Sequence, residues 1–245
     1  MRLSSYFSRE GRSERALKKN LQRAVDKHAQ SPDRLRALEA LRDDGSPEAI
    51  LGLMRRFSMR YDKSIEDEQE KEWVYQVLCG MGERILPQLR QYMRETDTLA
   101  LALKVLEKIT HGEQFRQVIA ELCEQNDNSY VRDPSKKIQL LHFMGEHRDP
   151  ELARLLLPYL EDMNEGVRYT AVESLLQQRL PEVTLVPLLR HMLSEAEESR
   201  RIKVRIAEGL AQLGQPLPER REEVAAVLPD LLPGARLDAQ GRIRL

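Results

Sequence analysis

The side chains that could do chemistry are few, and their spacing suits none of the common constellations. There are five histidines, His28, His111, His142, His147 and His191. The nearest two, His142 and His147, are five positions apart, so they fall on different faces of a helix. A zinc pair needs the i, i+4 spacing with an intervening Glu. His147 lies near an expected helix end, where a cation complements the macrodipole. The two cysteines, Cys79 and Cys123, sit on apolar faces of expected helices and read as buried free thiols. A nucleophilic cysteine needs an exposed, electropositive setting with a base nearby, and the flanking residues indicate neither. No Cys-x-x-Cys, phosphate-cradling glycine loop or G-x-S-x-G occurs. The expectation is a chain with no metal, no cofactor and no catalytic residue, and so not an enzyme.

What the chain does carry is a degenerate repeat. A basic residue is followed three positions on by an apolar residue, and four later by another. Arg34, Ala37 and Leu41 fit, as do Lys71, Val74 and Leu78. Lys137, Leu140 and Met144, then Arg168, Ala171 and Leu175, then Lys203, Ile206 and Leu210 follow. That spacing places the apolar pair on one face of a helix. Four positions beyond stands Gly45, Gly82 or Gly214 in three copies, and Arg148 or Arg179 in two. Glycine suits a helix C-cap because it enters the left-handed region without a steric penalty.

The basic residues are 37, 66, 31 and 35 positions apart. The long gap is two periods of about 33, in the range of two-helix repeats. The copy that should lie in it, Asp97–Ile109, keeps the apolar period but has Leu99 and Leu101 where a base is expected. Preceding helices are expected near Pro47–Met59, Glu83–Arg94, Glu113–Glu124, Pro150–Leu160 and Pro181–Leu193. Pro47, Pro150 and Pro181 suit first-turn positions. Ser46, Asp149 and Asp133 precede prolines and read as N-caps. Pro87, Pro158 and Pro187 imply kinks or late helix starts.

The clearest copy runs from Asp149 to Leu176. Its Leu156, Leu160, Asp162, Val167, Arg168, Ala171 and Leu175 resemble HEAT repeats, in particular the bacterial HEAT-like kind, over roughly residues 31–214. The resemblance implies an all-α, α-α superhelix, a solenoid of about six helical pairs. It also implies an internal ladder in which Arg168 joins Asp162. Some HEAT-repeat enzymes hold iron with repeated His-Glu pairs, but this chain has no His-Glu dipeptide. HEAT-like DNA glycosylases rely on tryptophans in a basic groove, whereas Trp73 is the sole Trp here and lies in an acidic stretch. HEAT-like phycobilin lyases have no strong local motif to test.

Composition sets further bounds. With 39 basic and 40 acidic residues the net charge is −1, which argues against a globally electrostatic nucleic-acid binder. Residues 1–36 are locally basic and Glu66–Glu72 is acidic; both read as solvated helix faces. No apolar run reaches the roughly 20 residues that span a bilayer, and no signal peptide is visible. The chain is expected to be cytoplasmic with no transmembrane segment. Three regions are expected: a flexible segment over 1–13 with an apolar Leu3/Tyr6/Phe7 cluster, a repeat array over 14–214, and a C-terminal cap over 215–245. The array should open with a helix over Glu14–His28. The cap should hold a helix and a β-hairpin, with Leu237, Ile243 and Leu245 on one face.

The function expected from this is a non-enzymatic adaptor or scaffold for another protein, in particular an acidic helix or peptide. The candidate binding residues are the aligned bases Arg34, Lys71, Lys137, Arg168 and Lys203, with Tyr169 as an aromatic anchor. The other reading of the same bases is an internal ladder. The alternatives are nucleic-acid binding through the basic N-terminus and stripe, and a HEAT-like lyase or glycosylase.

Overall fold

The computed structural model describes residues 9–61 and 64–245. The Leu3/Tyr6/Phe7 cluster lies outside them. Among the described residues the fold is all-α, with one two-stranded sheet near the C-terminus. Among the described residues the first twelve helices form six consecutive pairs. They are α1 (Arg9–Ala24) with α2 (Ser31–Asp44), α3 (Pro47–Arg55) with α4 (Ser64–Met81), and α5 (Leu86–Glu95) with α6 (Ala100–Ile109). Then come α7 (Gly112–Gln125) with α8 (Ser135–Gly145), α9 (Pro150–Leu156) with α10 (Glu165–Gln178), and α11 (Pro181–Leu193) with α12 (Arg200–Leu213). The chain divides into two compact units, one up to Val118 and one from Ile119. No helix among the described residues is long and apolar enough to cross a membrane.

The repeat positions are the core. Ala37, Leu41, Val74 and Leu78 are buried in the first unit, and Leu140, Met144, Ala171, Leu175, Ile206 and Leu210 in the second. Burying such an apolar side chain contributes about 1.5–3 kcal/mol, so the stripe of each second helix is what holds its neighbours. Boundaries follow local chemistry. Ser46 Oγ accepts the Ala49 N–H, and Asp149 caps Glu151. Gly45 and Gly214 close α2 and α12 in the left-handed conformation. The three internal prolines resolve differently. Pro87 sits in the first turn of a late-starting α5, Pro158 lies in a 3-10 segment continuing α9, and Pro187 stays inside α11. The first helix spans Arg9–Ala24 rather than Glu14–His28, because the Asp26 carboxylate takes the His28 N–H and turns the chain.

Two second-unit helices meet at a glycine. A Cβ on Gly145 of α8 would lie 2.8 Å from both Cα and Cβ of Ser174 on α10. Backbone cannot rotate away, so Gly145→Ala is expected to destabilise by about 1–3 kcal/mol, read as a lower urea midpoint. A midpoint equal to wild type would show that the helices separate freely.

The C-terminal cap consists of α13 (Arg221–Leu231) and a hairpin of β1 (Arg236–Leu237) and β2 (Ile243–Arg244). The strands are antiparallel, with Arg236 opposite Arg244 and Leu237 opposite Ile243. Gly241 takes positive φ in the turn. Ile243 is buried but Leu245 is exposed, contrary to the expected shared face, because it lies past the last paired residue.

Candidate functional site

The basic residues of the repeat are held mostly inside the fold. In the first unit, the buried Arg34 donates to Glu70 at 2.9 Å and to the Ala29 carbonyl. Arg56, at the end of α3, is 0% exposed; its Nε donates to Glu70 at 3.0 Å and its Nη2 to Asp67 at 2.6 Å. Lys71 pairs with Asp67 one helical turn back. The Tyr61 ring lies under both guanidiniums, 3.6 Å from Arg34 and 4.5 Å from Arg56. The acidic stretch is therefore not simply a solvated face: Asp67 and Glu70 point inward. Burial works against ionisation of both acids, but their cationic partners hold each pKa below the ordinary value.

In the second unit the buried Lys137 Nζ donates to Asp162 at 2.7 Å and to the Ser129 carbonyl at 2.6 Å. Arg168 clasps Glu197 with Nε at 2.8 Å and Nη2 at 3.1 Å, and its Nη1 reaches the Asp162 backbone carbonyl. Asp162 and Glu197 stand two residues before the N-caps of α10 and α12. Each also accepts the N–H of its N-cap residue, Asn164 or Ser199. The ladder is thus offset: the acid of each turn serves the base of the preceding second helix. Arg168 meets the main chain of Asp162, not its carboxylate. Lys203, half-buried on α12, has no ion pair among the described residues. Among the described residues α12 is the last of the second helices, so no further turn into a second helix follows to supply it with an acid.

Arg34 and Lys137 therefore do not lie on a free surface, and Lys71 and Arg168 are paired. Tyr169 is half-buried, with the Arg201 guanidinium 3.8 Å from its ring centre.

His191 Nε2 lies 3.0 Å from Glu197. Burial lowers its pKa below the ordinary value, although Glu197 acts in the opposite sense. Glu197 is already clasped by Arg168, so a second cation gains little. The unfolded chain then binds a proton before the folded one does. Stability from this group is complete above about pH 6.5 and is lost as pH falls toward the folded value. His191→Gln is expected to flatten the decline in urea midpoint between neutral and mildly acidic pH. An unchanged slope would remove His191 as its source.

A groove of about 800 Å³ opens in the second unit between α10 and α12. Its floor is the close approach of Gly209 to Leu176, where a Cβ would fall 2.3 Å from a Leu176 methyl. Along the walls run Glu173 and Gln177 of α10 and Arg205 and Gln212 of α12, with Arg148, Arg179 and Gln215 at the helix ends. Arg205 is bidentate on Glu173 through Nε and Nη2, while its buried Nη1 has no hydrogen-bond partner. Burial opposes the charge on Arg205, and Glu173 more than offsets it. Arg148 and Arg179 are exposed and have no ion-pair partner among the described residues. Arg179 closes α10 at φ 52, the left-handed conformation where Gly45 and Gly214 close other helices. Sequence reasoning missed this groove, although the arginines standing in place of C-cap glycines were a signal for it.

Both cysteines are free. Cys79 is half-buried rather than buried, and burial pushes the Cys123 thiol up to about 11, which disfavours the nucleophilic thiolate. Among the described residues no group of three or more His, Cys, Asp or Glu is placed to hold a metal ion.

No family model matches the chain, and no curated protein does. A solved structure, human deoxyhypusine hydroxylase in complex with glycerol, is similar at 19% identity. The likeness covers 91% of this chain and 97% of that one, with a TM-score of 0.32. The expectation that the chain is not an enzyme is corrected by this finding, since the similar protein is itself an enzyme. A likeness at that score assigns no activity, substrate or site to this chain.

Proposed function

We propose that the chain is a protein-binding adaptor that holds a segment of another protein in the groove between α10 and α12. The observation that carries this reading is an open groove whose polar lining is only partly engaged by the fold. Two of the second unit's three repeat cations are engaged by the fold: Lys137 is buried on Asp162 and Arg168 is closed on Glu197. Arg148, Arg179 and three glutamines remain available to a partner. Tyr169 stands one turn before Glu173 on α10, an aromatic residue of the kind enriched at binding hot spots, with the Arg201 guanidinium over its ring.

A photo-crosslinking residue at Gln212, in the full chain and in the cells that make it, tests the proposal. The expected result is a protein adduct of discrete size that disappears when Arg148 and Arg179 are replaced together. A nuclease-sensitive adduct, or none, would overturn it.

A further inference from the structure

We infer that the groove recognises an extended acidic peptide, with Arg148 and Arg179 reading its carboxylates; this rests on the groove being the binding surface proposed above. Three observations converge. Arg148 and Arg179 are exposed cations without an ion pair among the described residues. Arg205 keeps a buried N–H group unsatisfied although Glu173 engages its other nitrogens. A buried donor left without a partner is unfavourable, and an acidic partner that draws the Arg205 side chain toward the groove would relieve it.

The third observation is the backbone of Arg179. A cation just past a helix C-terminus complements the macrodipole, which accounts for positive charge at 148 and 179. It does not account for an arginine at φ 52, where glycine carries no steric penalty. Arg220, the other non-glycine residue with positive φ among those described, is clasped to Glu223; Arg179 has no such local partner. Strain of this kind collects at functional positions.

The glutamines decide between peptide and simple anion. Gln177, Gln212 and Gln215 each offer a donor and an acceptor, which match the N–H and C=O of an extended backbone. Glu173 is neutralised by Arg205, so the groove's net charge is positive.

The test is fluorescence anisotropy with a labelled peptide of alternating glutamate and glycine, against its glutamine counterpart and a single-stranded oligonucleotide of equal charge. Wild type should bind the glutamate peptide, with affinity falling as salt rises, and the glutamine peptide at least about tenfold more weakly. Arg179→Gly should weaken glutamate-peptide binding about tenfold while leaving the melting temperature equal or higher, since glycine relieves the left-handed backbone. Lost binding in a fully folded variant separates recognition from stability. Equal binding of both peptides, no binding of either, tighter binding of the oligonucleotide, or an unaffected Arg179→Gly would each overturn the inference. Failure here with a protein adduct still formed at Gln212 would leave the groove a protein site of other chemistry.

Discussion

Glu70→Gln is expected to destabilise the first unit by about 3–5 kcal/mol, the scale for removing one partner of a buried ion pair. Glu70 is 5% exposed and accepts from Arg34, Arg56 and Ser31. Glutamine keeps the shape but withdraws the charge, and its amide nitrogen can only donate. Arg34 then retains a carbonyl and the Tyr61 face, and Arg56 retains Asp67. Neither arrangement compensates two guanidiniums removed from water. Trp73 lies on α4 less than one turn from Glu70, and Arg42 stacks 5.7 Å from its ring. As the sole tryptophan it reports on this unit alone, so its emission through a urea titration measures the change directly. A loss below about 1 kcal/mol would show that the network contributes no more than surface ion pairs do. The same unit should lose stability in acid. The pKa values of Glu70 and Asp67 are held below the ordinary carboxylate values, so their contribution is complete above those values and is lost as pH falls through the lowered ones.

How much of this was readable from sequence depends on the range of the interaction. The apolar pairs that follow each base three and seven positions on, such as Ala171 and Leu175 or Ile206 and Leu210, are fully or almost fully buried. That signal is local and periodic. The caps at Ser46, Asp149, Gly45 and Gly214 are likewise set by the residue and its neighbours. The charge network is not local. Arg34 meets an acid 36 positions away, and Arg56, in a first helix outside the aligned bases, carries no periodic mark. The resemblance to HEAT repeats paired Arg168 with Asp162, whereas the fold gives Asp162 to Lys137 and Glu197 to Arg168. Period fixes which residues are equivalent, but not the offset at which neighbouring copies dock. The groove was the least legible feature. Its arginines come from the ends or middle of three different helices, and only stacking brings them to one opening.

That offset makes the second unit's ladder testable at both ends. Lys137→Met is expected to destabilise by about 3–5 kcal/mol, because it leaves the Asp162 carboxylate buried at 2% exposure without its cation. The Asn164 N–H remains on that carboxylate, but one backbone donor does not replace an ammonium at 2.7 Å. Lys203→Met, the equivalent substitution in the last second helix, is expected to change stability by less than about 0.5 kcal/mol, as for surface positions without such a feature. Nothing acidic pairs with Lys203 among the described residues, since α12 is the last second helix and no later turn into a second helix supplies an acid. The contrast separates two reasons for aligned bases. If the bases served only helix propensity and solubility, the two substitutions would cost alike. If they serve as cross-repeat ties, the effect must follow the acid two residues before the N-cap of the next second helix, and vanish after the last one. Circular dichroism through urea titrations of the two variants decides it. Equal losses, or a larger loss at Lys203, would break the offset ladder as an account of what joins these helices.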